Sequence, residues 1–203
     1  MAKTKDRILT AALSLFNEKG LVNVRLQHIA DACSISVGNL AYHYYSKESI
    51  VIAIIKELNK EMSHVLANYT AVPLFEHIDN ILEQNFYLQQ CYKFFFLDTL
   101  EIYRNFDKVK SLSRKYFQQQ VIQIEGMFIF NVARGAFVKG KDYNLLAKTF
   151  WMMGHFWMYE QELFESESHF LKDYKKQMWQ LLMPYCTELG MLEFQGLQQK
   201  FVD

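Results

Sequence analysis

Proline is nearly missing from this chain: 203 residues hold two, Pro73 and Pro184, with eight glycines. So little punctuation argues against many short strands joined by tight turns and favours long helices. Cysteine is scarce and odd in number, with Cys33, Cys91 and Cys186 scattered. That pattern fits neither a disulfide framework nor a metal knuckle, and it suits a reducing cytoplasm. No apolar run approaches the roughly 20 residues of a spanning helix; the longest uncharged apolar stretch is Phe150 to Tyr159, so no membrane role is expected. The N-terminal MAKTKDR is charged and has no apolar core of the secretory kind, and a cytoplasmic protein is expected. His-Glu-x-x-His, Cys-x-x-Cys, a glycine-rich phosphate loop and a nucleophile elbow are also lacking. No catalytic, metal or cofactor site is expected.

Net charge is absent too, 22 basic residues against 22 acidic ones, which at first argues against a polyanionic partner. The distribution says otherwise. From Met1 to Lys47 six bases (Lys3, Lys5, Arg7, Lys19, Arg25, Lys47) face three acids (Asp6, Glu18, Asp31), leaving +3 there and −3 on the remainder. A mildly basic head on a mildly acidic body is what a phosphate-contacting module needs.

Aromatic residues are abundant, at 16%, and they fall into helical periods. Ile8, Ala11, Ala12, Leu15 and Phe16 stripe a first helix over Thr4 to Lys19, stopped by Gly20. Arg25 to Lys47 then reads as two short helices around the turn Ser34-Ile35-Ser36. Leu26, Ile29 and Ala30 share one face of the first; Ser36 is placed to cap the second, which buries Leu40. Two short helices around a tight turn form a helix-turn-helix, whose second helix enters the major groove. Val37, Gly38, Asn39, Ala41, Tyr42 and His43 lie on the other side of that helix. Asn39 suits bidentate pairing with adenine, and Val37 and Ala41 suit contact with thymine methyls. Gly38 admits a close backbone approach. Lys47, in the first turn of the next helix, opposes the helix dipole, which a phosphate partner would explain.

With its preceding helix this stretch resembles the DNA-binding domain of the TetR/AcrR family of transcriptional regulators. The resemblance runs in register from Ile8 through Ala12, Leu15-Phe16, Gly20 and Ile29-Ala30 to Ser36, Gly38, Leu40, Tyr42-His43-Tyr44, Ser46-Lys47-Glu48 and Ile50. It implies phosphate contacts for Tyr42 and His43 and an inward-packed Tyr44. Arg25 stands where the family has a capping Thr or Ser nearby, and can reach DNA instead; Ala41 replaces a usual Tyr. Both positions face DNA in the family, so no operator sequence carries over. The resemblance further implies a homodimer through the last two long helices, a near-palindromic double-stranded operator, and repression relieved by a small effector.

The expected fold is all-α: a helix-turn-helix three-helix domain over 1–47, then a larger helical dimerisation and effector-binding domain over 48–203. Within the latter the periodicity predicts helices over Lys47–Tyr69, Tyr92–Phe106, Lys108–Ala133, Tyr143–Phe164 and Glu167–Leu189, with a loop from Gly135 to Lys141, Gly190 as a stop, and a short helix carrying Phe194, Leu197 and Phe201. The segment Thr149 to Tyr159 is apolar nearly all round, so one face should meet the core and another a partner subunit; Trp157 and Leu182 are expected at that interface. Phe95, Tyr103, Phe128, Trp151 and His155 are the expected walls of an apolar effector site. The acidic run Glu160, Glu162, Glu165, Glu167 with His169 reads as a solvated surface. Rival readings are an interaction module that has lost specific DNA binding and, further off, a helical enzyme using His155 with Glu160.

Overall fold

The structure is a computed structural model that describes residues 2–69, 72–164 and 171–199. The chain is 83% helical with no strands among the described residues; a single antiparallel bridge joins Phe137 and Cys186. Two compact units form, one from residues 1–61 with 90–115, the other from 62–89 with 116–203.

In the first unit, helices α1 (Ala2–Lys19), α2 (Leu26–Ala32), α3 (Val37–His43) and the start of α4 (Lys47–Tyr69) enclose an apolar core. Ile8, Ala12 and Phe16 from α1 and Ile29, Ala30, Leu40, Ile50, Ile54 and Leu58 from the other three are all buried. The expected stripes are present because each helix keeps one apolar side. Ser46 and Ser49 cap α4 reciprocally: each backbone N–H donates to the other's hydroxyl at 3.2 Å.

Where one helix is expected from Tyr92 to Phe106, the structure has two, α6 (Lys93–Leu97) and α7 (Thr99–Asn105), following α5 (Phe75–Cys91). At the break the Asp98 carboxylate accepts the Leu21 backbone N–H at 2.8 Å. Asn17 fastens the same segment. Its amide donates to the Cys91 carbonyl at 2.8 Å and accepts the Phe94 N–H at 3.0 Å, while the Phe94 ring packs on Phe16 at 5.2 Å. Phe94, Phe95 and Phe96 are all buried, although three consecutive residues cannot share a helix face, so α6 is covered on more than one side.

The second unit is built from α5, the later part of α8 (Asp107–Ala133), α9 (Tyr143–Leu163), α10 (Leu171–Leu182), a 3-10 turn over Met183–Tyr185 and α11 (Glu188–Gln199). The long helix expected to end at Leu189 ends earlier, because Pro184 enforces the 3-10 turn. Gly190 therefore lies inside α11 rather than after a helix. A Cβ there would stand 2.3 Å from the Ala136 carbonyl oxygen, so only glycine lets α11 come so close. A buried charge cluster ties α10 to α5: the Lys175 ammonium donates to Asp79 at 2.9 Å and Glu83 at 2.7 Å, and the Trp179 indole donates to Asp79 at 3.0 Å. Burial pulls the Lys175 pKa down, but bonding to Glu83 and Asp79 outweighs it and holds the amine above its ordinary value. Glu165, Glu167, His169, Phe170 and Phe201 lie outside the described residues.

Candidate nucleic-acid interface

The turn between α2 and α3 is a Schellman closure. The Ile35 N–H bonds the Ala30 carbonyl at 3.0 Å and the Ser34 N–H bonds Asp31 at 2.9 Å. Ser34 takes φ +53 to make it, a left-handed position that glycine usually fills. Ser36 then accepts the Asn39 N–H at 3.1 Å and starts α3. Leu40 is fully buried beneath that helix, and its other side is left to solvent.

Of the eight residues expected to meet DNA, Arg25, Gly38, Asn39, Ala41 and Tyr42 are exposed, and Val37, His43 and Lys47 are half-buried. The Asn39 side-chain amide has no hydrogen-bond partner among the described residues. Tyr42 is 74% exposed and its ring meets His43 edge-on at 5.3 Å. Burial pulls the Lys47 amine below its ordinary pKa. Arg25 begins α2 with no side-chain cap bond, and its backbone N–H donates to the His28 ring at 3.2 Å. Tyr44 is half-buried, with the Lys5 ammonium 6.0 Å from its ring centre.

Tyr45 is an exposed aromatic that the sequence reading passed over, 70% accessible beside the α4 start; an aromatic with no place in an apolar period was its signal.

The expected effector walls divide between the units. Phe95 and Tyr103 belong to the first, and Phe128, Trp151 and His155 to the second. Phe128 is fully buried among Phe137, Tyr143 and Phe150. Trp151 stacks on His155 with ring centres 4.5 Å apart, and its indole donates to Gln120 at 2.6 Å. Burial lowers the His155 pKa to about 4, so its ring is neutral at physiological pH.

The all-round apolar helix is α9, and it does show two faces. Trp157 and Leu182, expected at a subunit interface, are buried within their own chain instead. They belong to the inward stripes of α9 and α10. The outward residues are Leu145, Met152, Phe156, Tyr159 and Leu163, each between 39% and 62% exposed. With Thr149, also exposed, they recur every four and three residues along α9, the spacing of a coiled-coil seam.

Comparison with known proteins decides the family. A family model for a "Bacterial transcriptional repressor" matches residues 57–194, and one for "Bacterial regulatory proteins, tetR family" matches residues 8–54. The chain belongs to the TetR family. A TetR-family transcriptional regulator from Marinobacter aquaeolei superposes on this member with a TM-score of 0.82, at 25% identity over 97% of this chain and 98% of that one. The fold of SmeT, the repressor of a Stenotrophomonas maltophilia multidrug efflux pump, aligns with a TM-score of 0.70 at 15% identity over 91% of each chain. Among curated proteins, this TetR-family chain is 42% identical over 52 residues to the Escherichia coli regulator UidR and 39% identical over 54 residues to RutR. Each match spans 26% of the relative's length. Among the described residues no helix is long and apolar enough to cross a membrane, and no group of three His, Cys, Asp or Glu residues is placed to hold a metal.

Proposed function

We propose that this protein is a cytoplasmic, homodimeric transcriptional repressor that binds a near-palindromic DNA operator and leaves it when a small, largely apolar effector binds. It acts by binding, not by catalysis. The observation that carries the reading is α3, capped by Ser36 and anchored by buried Leu40, with Gly38, Asn39, Ala41 and Tyr42 open to a partner. Asn39 and Val37 read base edges; Arg25, Tyr42, His43 and Lys47 hold the backbone. Lys47 supports this, since a phosphate would restore the solvation that burial removes. A functional head over residues 1–47 carries these contacts.

One such helix reads only a few base pairs, too few for an isolated head to be selective. A twofold dimer presents two of them and requires an inverted repeat. The dimer forms through the last two long helices, α9 and α10, with the outward α9 seam at its centre. SmeT has been solved as a complex with triclosan, which supports a lipophilic effector here, with Trp151 and His155 among its walls. The effector acts by differential affinity for DNA-competent and DNA-incompetent states.

Selection of bound sequences from random duplex DNA tests the reading. The expected result is an inverted repeat with half-site centres about 10 base pairs apart or a multiple, and binding that weakens steeply with salt. Inserting about 5 base pairs between half-sites should bring affinity down to the nonspecific level, because one groove then faces away. Binding without sequence preference or salt dependence would refute the reading.

A further inference from the structure

In the second unit, polar side chains from three helices converge around Gly154. On α5, Asn85 and Gln89 are four residues apart and share a face. The Gln89 amide donates to the Gly154 carbonyl at 2.7 Å, and the Asn85 amide donates to the Tyr174 hydroxyl of α10 at 2.6 Å. Trp157 lies one turn along α9 from Gly154, its ring centre 5.5 Å from that of Tyr174. A Cβ on Gly154 would stand 3.2 Å from the Tyr174 hydroxyl and 3.7 Å from the Asn85 amide nitrogen. Glycine in a helix interior is unfavourable, and here it lets the Tyr174 hydroxyl and the Met178 methyl pack close against α9.

Three polar atoms of this cluster are buried with no hydrogen-bond partner among the described residues: Asn85 Oδ1, Gln89 Oε1 and Trp157 Nε1. Gln89 is fully buried and Trp157 nearly so. Turning the Gln89 amide over would set its oxygen against the Gly154 oxygen, so its free atom is an acceptor. The indole N–H of Trp157 can only donate. Whichever way the Asn85 amide is turned, one of its polar atoms stays free. Folded chains rarely leave buried polar atoms unpaired, because each gives up its bonds to water. Three around one glycine point to a partner from outside the chain. Phe86, Met178 and the Tyr174 ring make the surroundings apolar. Lys175, next to Tyr174 in sequence, pairs with Asp79 and Glu83, and this group carries an excess of one negative charge, which disfavours an anion.

We infer that the Asn85, Gln89, Trp157 and Tyr174 cluster is the polar end of the effector site, and that it takes the hydroxyl of an uncharged lipophilic molecule such as a phenol or alcohol. A hydroxyl suits either kind of free group, since its proton can be donated to an acceptor such as Gln89 Oε1 and its oxygen can accept from a donor such as Trp157 Nε1. This rests on the effector-binding reading above and adds the chemistry of the ligand.

The test uses the full chain without DNA and three probes: 4-propylphenol, propylbenzene and 4-propylbenzoate. Calorimetry should show saturable binding of the phenol, about tenfold tighter than the hydrocarbon, one hydrogen-bonding group's worth, with the benzoate weakest. In wild-type protein labelled with 15N-tryptophan, the phenol should shift the Trp157 indole N–H resonance downfield and propylbenzene should not. Gln89→Leu and Trp157→Phe should each reduce the preference for phenol over hydrocarbon to about twofold or less. The site is overturned if the phenol does not bind saturably, if phenol and hydrocarbon bind alike, if the benzoate binds best, or if the indole resonance does not respond. The indole measurement needs no variant and stands even if a substitution unfolds the chain. DNA titrations of the same samples separate the two readings. A chain that binds an operator but fails these tests refutes this site alone; one that passes them but ignores DNA refutes the regulator reading alone.

Discussion

Helices α3 and α9 each bury one side and expose the other, but what they expose differs. On α3 the outward residues are small or polar, Gly38, Asn39 and Ala41, with Tyr42 presenting a hydroxyl. On α9 they are Leu145, Met152, Phe156, Tyr159 and Leu163. A surface that is regularly returned to water must be tolerable there, and α3 is. An apolar stripe five residues long is costly in water and belongs to a lasting partner. The contrast underlies the proposal that α3 meets DNA reversibly and that α9 meets a second copy of the chain for good.

The largest effect should come from breaking the α9 seam. Phe156→Glu places two charges in a twofold interface and should weaken dimerisation by about 4 kcal/mol or more, roughly a thousandfold in Kd. Sedimentation should show a folded monomer where the wild type is a dimer, because Phe156 is exposed within its own chain. Trp157→Glu would unfold the chain instead, and so says nothing about the partner.

The inward side of α9 sharpens the contrast through pH. Folding lowers the His155 pKa from 6.5 to about 4 by burial. Its neutral form therefore supports the fold fully above pH 6.5, and that contribution is lost as pH falls towards 4, where the unfolded chain binds the proton first. Urea unfolding at pH 7 and 4.5 should show the wild type losing about 2–3 kcal/mol more than His155→Gln.

On α3 the effects are smaller and of a different kind. Asn39→Ala should cost about 1–3 kcal/mol at one base-pair position only. Lys47→Ala should weaken all sequences alike and flatten the salt dependence. Competition binding to a panel of single-base operator variants separates the two; equal losses with unchanged preference would remove Asn39 from base reading. The smallest effect belongs to Ser34. Glycine accepts its φ of +53 without a Cβ penalty, so Ser34→Gly should stabilise the chain by up to about 1 kcal/mol and leave base preference unchanged, as thermal unfolding and the same binding panel would show.

What the sequence discloses follows from range. The helix-turn-helix is legible because its signals are local: Ser36 lies three residues before the N–H it caps, and Leu40 keeps the period. Ser46 and the α4 stripe are legible for the same reason. The anchoring of Asp98 to the turn after α1 is not, because its carboxylate bonds Leu21 across 77 positions. Gly190 looks like a helix stop and is a packing glycine, which only the Ala136 carbonyl reveals. Periodicity announces that α9 is apolar on every side but cannot say which side meets its own core, so Trp157 reads equally well as an interface residue; the Leu182 stripe of α10 likewise does not say whether its cover is its own chain or another. The proposed effector site shares this limit, since residues as far apart as Gln89 and Gly154 meet only after folding, and an unpaired atom has no signature in a string of letters.

Asn17 grips the segment after α5 by main-chain atoms alone, the Cys91 carbonyl and the Phe94 N–H. Every residue type carries a carbonyl, and only proline at 94 would remove the N–H. Mutation can therefore rewrite the side chain at position 91 without loosening the clasp. A lineage can drift there, trying one residue after another, while the attachment to α1 is inherited unchanged.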